Sequence, residues 1–226
     1  QLYLASTNIN WKGISNMSFQ NELVKKCGEY TNFAIYGVKI PYKNGAKNTP
    51  AQILAAINAW KGSSQKTTAE IQEWVNKNLG KTGVDCSGLV YYCLNEASGG
   101  KVRTFFEKKF NTSLPYASGI AAANLSGTNY GTKKTRAKDM TPGCTICTDN
   151  GGHVLVIHTV NKNDAGVVTK IYYTHSNGSH GPHSGIITIG NELKDLNDSS
   201  QTWADSAYTD KKAKELYNHT IKLDCL

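Results

Sequence analysis

One cysteine in this sequence has the setting of a catalytic nucleophile. Cys86 follows the stretch Gly83-Val-Asp85 and begins an apolar helical run, Cys-Ser-Gly-Leu-Val-Tyr-Tyr-Cys-Leu94. A cysteine in the first turn of a helix faces unpaired backbone N–H groups and the positive end of the helix dipole, which favour the thiolate and lower the pKa of the thiol. The small residues Ser87 and Gly88 leave the sulfur accessible. The alternative is a buried structural cysteine, and a histidine partner would decide between the two.

The sequence offers a base for this cysteine in two predicted strands, 153–160 and 167–175, which the turn 161–166 joins. If the hairpin is symmetric about Asp164, His153 lies opposite His175, with the two Cβ atoms about 5 Å apart on the same face. One imidazole then orients the other, which is the nucleophile–base–orienter arrangement of covalent catalysis. A slip of one residue would place the rings on opposite faces.

The remaining histidines are expected to have other roles. His158 is five residues from His153 and therefore points to the other face of its strand, where a structural or solvent-facing position is expected. His180 and His183 occur in a segment rich in Gly, Ser and Pro, and we interpret them as polar residues of a loop.

Cys144-Thr-Ile-Cys147 suggests a zinc or redox site, and the spacing argues against both. The gap from Cys147 to His153 is far shorter than a zinc finger requires, and there is no second Cys pair. In an extended strand the two cysteines also point to opposite faces. We therefore predict no metal and no cofactor, and we leave open any pairing among Cys27, Cys93, Cys144, Cys147 and Cys225.

The elements that position these residues follow from periodicity and turn signals. Apolar residues at helical spacing predict helices at about 15–32, 50–62, 67–80, 86 onward, 102–109, 117–124 and 203–217. After Thr141-Pro-Gly143 the pattern becomes strand-like, and 126–139 is expected to be a surface loop. Helices followed by strands predict an α+β fold with an antiparallel sheet. We expect one domain over 1–226, with 1–14 as an N-terminal arm.

Composition and net charge limit the classes of binding partner that are expected. The 226 residues carry a net charge of +8, which fits an acidic partner such as nucleic acid, anionic lipid or an anionic cell-wall polymer. The lysines are dispersed and no RNA-binding signature is present, so nucleic acid is not expected. No stretch approaches 18 apolar residues, so no membrane span is expected. The chain starts at Gln1 and shows no signal peptide.

The motifs together resemble the NlpC-type papain-like cysteine peptidases, bacterial cell-wall hydrolases related to the CHAP amidases. Asp85-Cys-Ser-Gly-Leu-Val90 matches the nucleophile motif almost letter for letter, and Gly152-His-Val-Leu-Val-Ile157 resembles the strand that carries the base. Tyr172-Tyr-Thr-His-Ser176 resembles the strand that completes the triad. Residues 36–45 resemble the approach segment with its active-site tyrosine. Thr141-Pro-Gly-Cys144 resembles the Pro-Gly-Asp that opens the first core strand, with cysteine in place of aspartate.

The resemblance implies a papain-like NlpC fold, in which N-terminal helices pack on a central antiparallel sheet. Residues 48–80 would be a helical insertion before the nucleophile helix, which the family pattern lacks. The loop between the two histidine strands is also longer than usual. These departures are expected to reshape the substrate cleft.

The resemblance also implies a function. It predicts a peptidase or amidase that hydrolyses an amide bond in peptidoglycan stem peptides through a thioester acyl-enzyme. The catalytic residues would be Cys86, His153 and His175. The residues expected to contact the substrate are Tyr42, Asp85 and Ser87. The location would be secreted or in the cell envelope, as a monomer or as a module of a larger multidomain, phage or secretion assembly.

Two other functions stay open on the same residues. The helical insertion would also suit a secreted effector or toxin that cleaves or deamidates a protein. A catalytically inactive cell-wall-binding module on the same fold is the third candidate, and an unreactive Cys86 would favour it.

Overall fold

The computed structural model describes residues 11–33, 36–113 and 120–226, with side chains from residue 18 onward. Within these ranges the helices are α1 (Trp11–Thr31), α2 (Pro50–Lys61), α3 (Thr68–Lys77), α4 (Leu79–Thr82), α5 (Cys86–Ala97), α6 (Lys101–Phe110), α7 (Ala122–Ser126) and α8 (Asp210–Leu216). The predicted arm 1–14 lies outside the described residues up to residue 10, and its last four residues belong to α1. Residues 117–119 of the predicted helix 117–124 also lie outside them, and α7 begins at Ala122.

The described residues after α7 form an antiparallel sheet, with α8 between its last two strands along the chain. Its strands are β1 (Gly131–Lys134), β2 (Cys144–Thr148), β3 (His153–Lys162), β4 (Val168–Asn177), β5 (Gly181–Thr188), β6 (Thr202–Ala204) and β7 (Tyr217–Leu223). The strand order is β1-β7-β2-β3-β4-β5-β6, and every neighbouring pair is antiparallel. The predicted α+β class with an antiparallel sheet is therefore confirmed.

The sheet separates two hydrophobic clusters. Val154 and Val156 of β3 pack with the residues of α1, α2, α3, α5 and α6. Leu155 and Ile157 point to the other face and pack with Trp203 of β6 and residues near α8. This alternation is the period-2 pattern of a strand buried on both faces. The sheet is consequently enclosed at β3, the strand that begins with His153.

The helices between residues 48 and 80 are set by local sequence. Thr49 and Thr67 each form a capping box, in which the threonine hydroxyl accepts from the backbone of the third helical residue and that residue's side chain accepts from the cap N–H. Trp60 of α2 stacks on Trp74 of α3, with ring centroids 5.0 Å apart. The predicted helical segment therefore consists of α2, α3 and the short α4, which lead directly to the cysteine turn.

Two segments differ from the sequence prediction. Residues 131–134, expected in a loop, form the edge strand β1, because backbone groups of β7 lie in register to pair with them. The predicted helix 203–217 is instead β6, a turn and the shorter α8. Thr209 caps α8 by accepting from the Lys212 N–H, so the helix cannot begin earlier. This turn contains Asp205, a residue central to the site described below.

None of the helices in the described part of the chain combines the length and apolarity that crossing a membrane requires.

Candidate active site

Cys86 is the first residue of α5, as its sequence predicted. Asp85 is the N-cap, and its carboxylate accepts from the Gly88 N–H at 2.7 Å. The loop before α2 holds this turn in place, because the Asp85 N–H donates to the Ala46 carbonyl at 2.9 Å. A Cβ on Gly88 would lie 2.9 to 3.2 Å from Lys47 and Ala46, so the close approach requires glycine. The nucleophile turn and the loop 42–47 therefore form one packed unit.

Cys86 opens onto a cleft of about 440 Å³. The residues that line it include Tyr42, Lys47, Asp85, Ser87 and the two glycines before His153, Gly151 and Gly152. All three residues that the resemblance assigns to substrate contact are thus at the cleft. A second cavity of about 510 Å³ lies at the far end of α5 beside Phe19 and Lys222, and it contains none of the predicted site residues.

Asp85 and Ser87 are already bonded within the protein. The Lys47 ammonium donates to both oxygens of Asp85 at 2.7 and 2.8 Å, and it also donates to the Ser87 hydroxyl. Ser87 in turn donates to Asp85 at 3.1 Å. A substrate group that uses these side chains must share them with Lys47. Tyr42 is half-buried, and burial, with the neighbouring Cys86, raises the pKa of its hydroxyl, which stays protonated as a hydrogen-bond donor.

The two predicted histidines meet. His153 Nε2 lies 2.8 Å from His175 Nδ1, and both rings are buried. Their strands do not pair as predicted, however. Val156 pairs with Thr174. When this register is continued to the first residue of β3, His153 lies across from Asn177, which is two residues beyond His175. Because side chains alternate along a strand, a shift of two residues keeps both rings on the same face.

The residue directly opposite His175 is His183, which belongs to β5 and not to a loop as its composition suggested. The rings of these two histidines have centroids 4.1 Å apart. His183 Nε2 lies 3.1 Å from Asp205 Oδ1, and His183 Nδ1 lies 2.9 Å from the Gly181 carbonyl oxygen. Both partners can only accept, so His183 donates from both nitrogens and is an imidazolium. Burial lowers the pKa of His183, but these hydrogen bonds outweigh it and raise the pKa above its ordinary value.

Asp205, which the sequence analysis missed, anchors the cluster. Its side chain is fully buried and accepts four hydrogen bonds, from His175 at 3.0 Å, His183 at 3.1 Å, the Tyr173 hydroxyl at 2.8 Å and the Ala207 N–H at 2.7 Å. Burial alone would raise the pKa of this carboxyl, but the bonds from the two histidines hold it well below its usual range. The Thr209 N-cap was the local signal that residues 203–208 precede a helix and can carry a buried polar group.

The carboxylate determines where every proton in the chain of rings lies. Asp205 only accepts, so His175 carries its proton on Nε2 and leaves Nδ1 as an acceptor. His153 must then donate from Nε2 to His175, which leaves the lone pair of His153 Nδ1 free. That nitrogen has no hydrogen bond with the described residues and is not among their buried, unpartnered atoms, so it is accessible to solvent. The arrangement presents a neutral imidazole base.

No hydrogen bond joins the Cys86 sulfur to His153 in the described structure. The sulfur accepts instead from the backbone N–H groups of Ser87 and of Val154, the residue after His153. Burial nevertheless raises the pKa of the Cys86 thiol, and it also lowers the pKa of His153 to about 3, with the His175 ring as a further cause. The expectation of a thiolate at the helix N-terminus is therefore wrong for the resting protein. The cost of burying a charged sulfur raises the pKa of Cys86 more than the N-terminus of α5 lowers it. The resting pair is therefore a thiol and a neutral imidazole.

The other five cysteines lie away from the cleft, and all six are free thiols. Cys144 and Cys147 point to opposite faces of β2, and Cys144 accepts from the Thr141 N–H at 3.4 Å. Residues able to ligate a metal gather elsewhere within the described residues, at His175, His183 and Asp205.

Comparison of the chain with family models, with curated proteins and with solved structures finds no match in any of the three.

Proposed function

We propose that this protein is a cysteine hydrolase that cleaves an amide bond, with Cys86 as nucleophile, His153 as base and acid, and His175 as the residue that orients His153. The observation that carries this proposal is the hydrogen-bonded line His153–His175–Asp205, which leaves a free lone pair on His153 Nδ1. The two residues before His153, Gly151 and Gly152, line the same cleft as Cys86. A carboxylate that orients the base is the third group of the nucleophile–base–orienter arrangement, and here it acts through the ring of His175.

The proposed reaction begins with the neutral pair. The Cys86 proton passes to His153 Nδ1 as the sulfur attacks the amide carbonyl and forms the S–C bond. The Cys86 backbone N–H, which has no helical acceptor at the first position of α5, and the Tyr42 hydroxyl stabilise the oxyanion. His153 then gives its proton to the departing amine as the C–N bond breaks. Water, deprotonated by His153, hydrolyses the thioester and restores the thiol.

The positive charge on His153 during this cycle needs compensation within a buried site. His175 accepts from His153, and Asp205 accepts from His175, so the imidazolium is stabilised through one intervening ring. Burial lowers the pKa of His153 at rest, which makes the same residue a strong acid once it is protonated. That property suits protonation of an amine leaving group, the harder half of amide cleavage.

We propose peptidoglycan as the substrate, at a bond of the stem peptide, and an NlpC-like papain fold as the framework. The support is the motif resemblance together with the order helices, cysteine helix, then antiparallel sheet. The net charge of +8 suits an anionic cell-wall polymer. Secretion or the cell envelope is the location in which such a substrate is met.

The experiment is digestion of purified peptidoglycan by wild type, Cys86→Ala and Cys225→Ala, followed by mass spectrometry of the soluble fragments. Cys225 is a partly exposed thiol outside the cleft, so its variant controls for loss of a cysteine. New stem-peptide fragments should appear with wild type and Cys225→Ala and disappear with Cys86→Ala. Equal fragments from all three proteins would remove Cys86 from the mechanism.

A protein substrate is the second candidate, and the helices of residues 48–80 favour it. They follow loop 42–47, which contributes Tyr42, Asn44 and Lys47 to the cleft, and they are the part of the chain that the peptidoglycan resemblance does not account for. Turnover of a protein side chain or peptide bond without release of stem peptides would select this function. Binding of wild type to peptidoglycan without release of any stem-peptide fragment would point instead to an inactive wall-binding module.

A further inference from the structure

We infer that the cluster His175, His183 and Asp205 is a binding site for a divalent transition-metal ion such as Zn²⁺, and that occupancy of this site switches off the base His153. Only the second half of this inference, that the ion switches off His153, rests on the proposed function. The metal site itself stands on the geometry of the three side chains and is testable without any substrate.

The ligand atoms are gathered closely enough for one ion to draw them into a zinc shell. His175 Nε2 lies 3.0 Å from one oxygen of Asp205, His183 Nε2 lies 3.1 Å from the other, and the ligand atoms of the three residues all fall within 4.8 Å of one another. Zinc–ligand bonds of about 2.0 to 2.1 Å at tetrahedral angles separate neighbouring ligands by about 3.3 Å. One cation can therefore replace the two protons that now bridge these groups.

Hydrogen-bond partners that would orient the three ligands are also in place. A metal-bound histidine usually donates its other N–H to a carbonyl or another fixed acceptor. His183 Nδ1 faces the Gly181 carbonyl at 2.9 Å, and His175 Nδ1 faces His153 Nε2 at 2.8 Å. Asp205 is held by the Tyr173 hydroxyl at 2.8 Å. The three ligands would bind an ion after an inward shift of their side chains, and a water molecule would complete the four.

The donor set selects the class of ion. Two imidazoles and one carboxylate suit zinc and its neighbours, whereas magnesium and calcium prefer shells of oxygen alone. The site is buried except at His183, whose side chain is 13% exposed, and the exposed ring of His180 lies next to it with centroids 5.5 Å apart. An ion would enter from this side, away from the cysteine.

Occupancy would reverse the proton order in the chain of rings. A metal on His175 Nε2 displaces the only proton of that ring, and the proton on His153 Nε2 shifts across their hydrogen bond to His175 Nδ1, so His175 becomes the donor to His153 Nε2. His153 then holds a proton on Nδ1, the atom that must accept from Cys86. His183 releases one proton to solvent, and the proton from His175 reaches His153 through solvent. The base is occupied, and the thiol cannot be activated.

Cobalt absorption of the Cys86→Ala protein tests the site without the catalytic sulfur. Titration with Co²⁺ should give the visible spectrum of a four-coordinate ion, with one ion per chain, and Zn²⁺ should displace it. His183→Gln in the same background should weaken binding more than about 100-fold, beyond the loss expected for an outer partner. His183→Cys should retain the ion and add a sulfur-to-cobalt charge-transfer band. His158→Gln, which removes a histidine outside the cluster, is the matched control.

Unchanged Co²⁺ affinity in His183→Gln, or loss of the ion on replacing Cys86 alone, would overturn the site. The switch is tested separately by the rate at which iodoacetamide alkylates Cys86 in wild type, which Zn²⁺ should reduce and a chelator should restore. Metal binding without this change would refute the switch and leave the site. Metal binding by a protein that releases no fragments from peptidoglycan would refute the proposed substrate alone.

Discussion

Replacing Asp205 by asparagine should reverse the donor and acceptor roles in the hydrogen bonds that run from residue 205 through His175 to His153, although the change adds no bulk. The two oxygens of Asp205 accept hydrogen bonds from four donors. One of these donors, the Ala207 N–H that bonds Oδ1, is a backbone group and can only donate. The amide oxygen of asparagine must therefore take the Oδ1 position. The NH₂ group then takes the Oδ2 position and faces His175 Nε2 and the Tyr173 hydroxyl.

The tautomer of His153 follows from that orientation. His175 Nε2 must accept from the new amide, so His175 carries its proton on Nδ1 and donates to His153. His153 in turn moves its proton to Nδ1 and loses its free lone pair. An equivalent aspartate-to-asparagine change in a serine triad lowers kcat about 10⁴-fold through the wrong tautomer. Because one more ring intervenes here, we expect a fall in kcat/KM of about 10³-fold, or about 4 kcal/mol of transition-state stabilisation.

Two measurements check this reasoning. Long-range ¹⁵N–¹H correlation spectra of histidine-labelled protein should show the proton of His153 on Nε2 in wild type and on Nδ1 in Asp205→Asn. Fragment release from peptidoglycan should fall as stated, with little change in KM. Asp198→Asn makes the same chemical change at a partly exposed aspartate that accepts from Ser200, and it should behave as wild type. A tautomer of His153 that is the same in wild type and Asp205→Asn would refute the assignment of protons from Asp205.

Three further predictions concern the elements around the site. Lys47→Met leaves the buried N-cap carboxylate of α5 without its cation and should cost about 2 to 3 kcal/mol in urea denaturation, near the lower end for a broken buried pair. Gly181→Ala should cost about 3 kcal/mol or more in the same assay, because Gly181 has φ +65° and a Cβ would lie 2.2 Å from the Ile40 carbonyl oxygen; Gly178→Ala, with open space, is its control. His158 has its pKa lowered to about 4 by burial, below the unfolded value of about 6.5, so its contribution to stability is complete above pH 6.5 and is lost as the pH falls toward 4. His158→Gln should therefore flatten the pH dependence of the unfolding free energy by about 2 to 3 kcal/mol over this range.

Each of these has a contrary result. Lys47→Met with unchanged stability would mean that the carboxylate keeps its charge through backbone donors alone. Equal melting temperatures for Gly181→Ala and Gly178→Ala would contradict the close approach of β5 to the segment before Tyr42. Identical acid sensitivity of wild type and His158→Gln would show that this ring stays neutral or solvated in both states.

The shared face of His153 and His175 was predictable from the local sequence, but the register of their strands was not. The period of two along a strand made His153 and His175 share a face, and this survived a register shifted by two residues. The shift arises because β3 and β4 run on to Lys162 and Val168, so the turn is centred beyond Asp164. His183 was misassigned because Gly, Ser and Pro are typical of loops, whereas β4 supplies eight pairing positions that extend β5 to Gly181.

What the sequence determined by itself is the chemistry that depends on neighbours along the chain. The Asp85 cap, the cysteine at the first turn of α5 and the strand that begins at His153 follow from residue type and spacing. Tertiary structure decided the rest, because it depends on contacts across the fold. It placed Asp205 beside His175, which are 30 residues apart, and bonded Lys47 to the Asp85 cap. It also buried the sulfur, so that desolvation overrides the helix terminus and the site depends on its base.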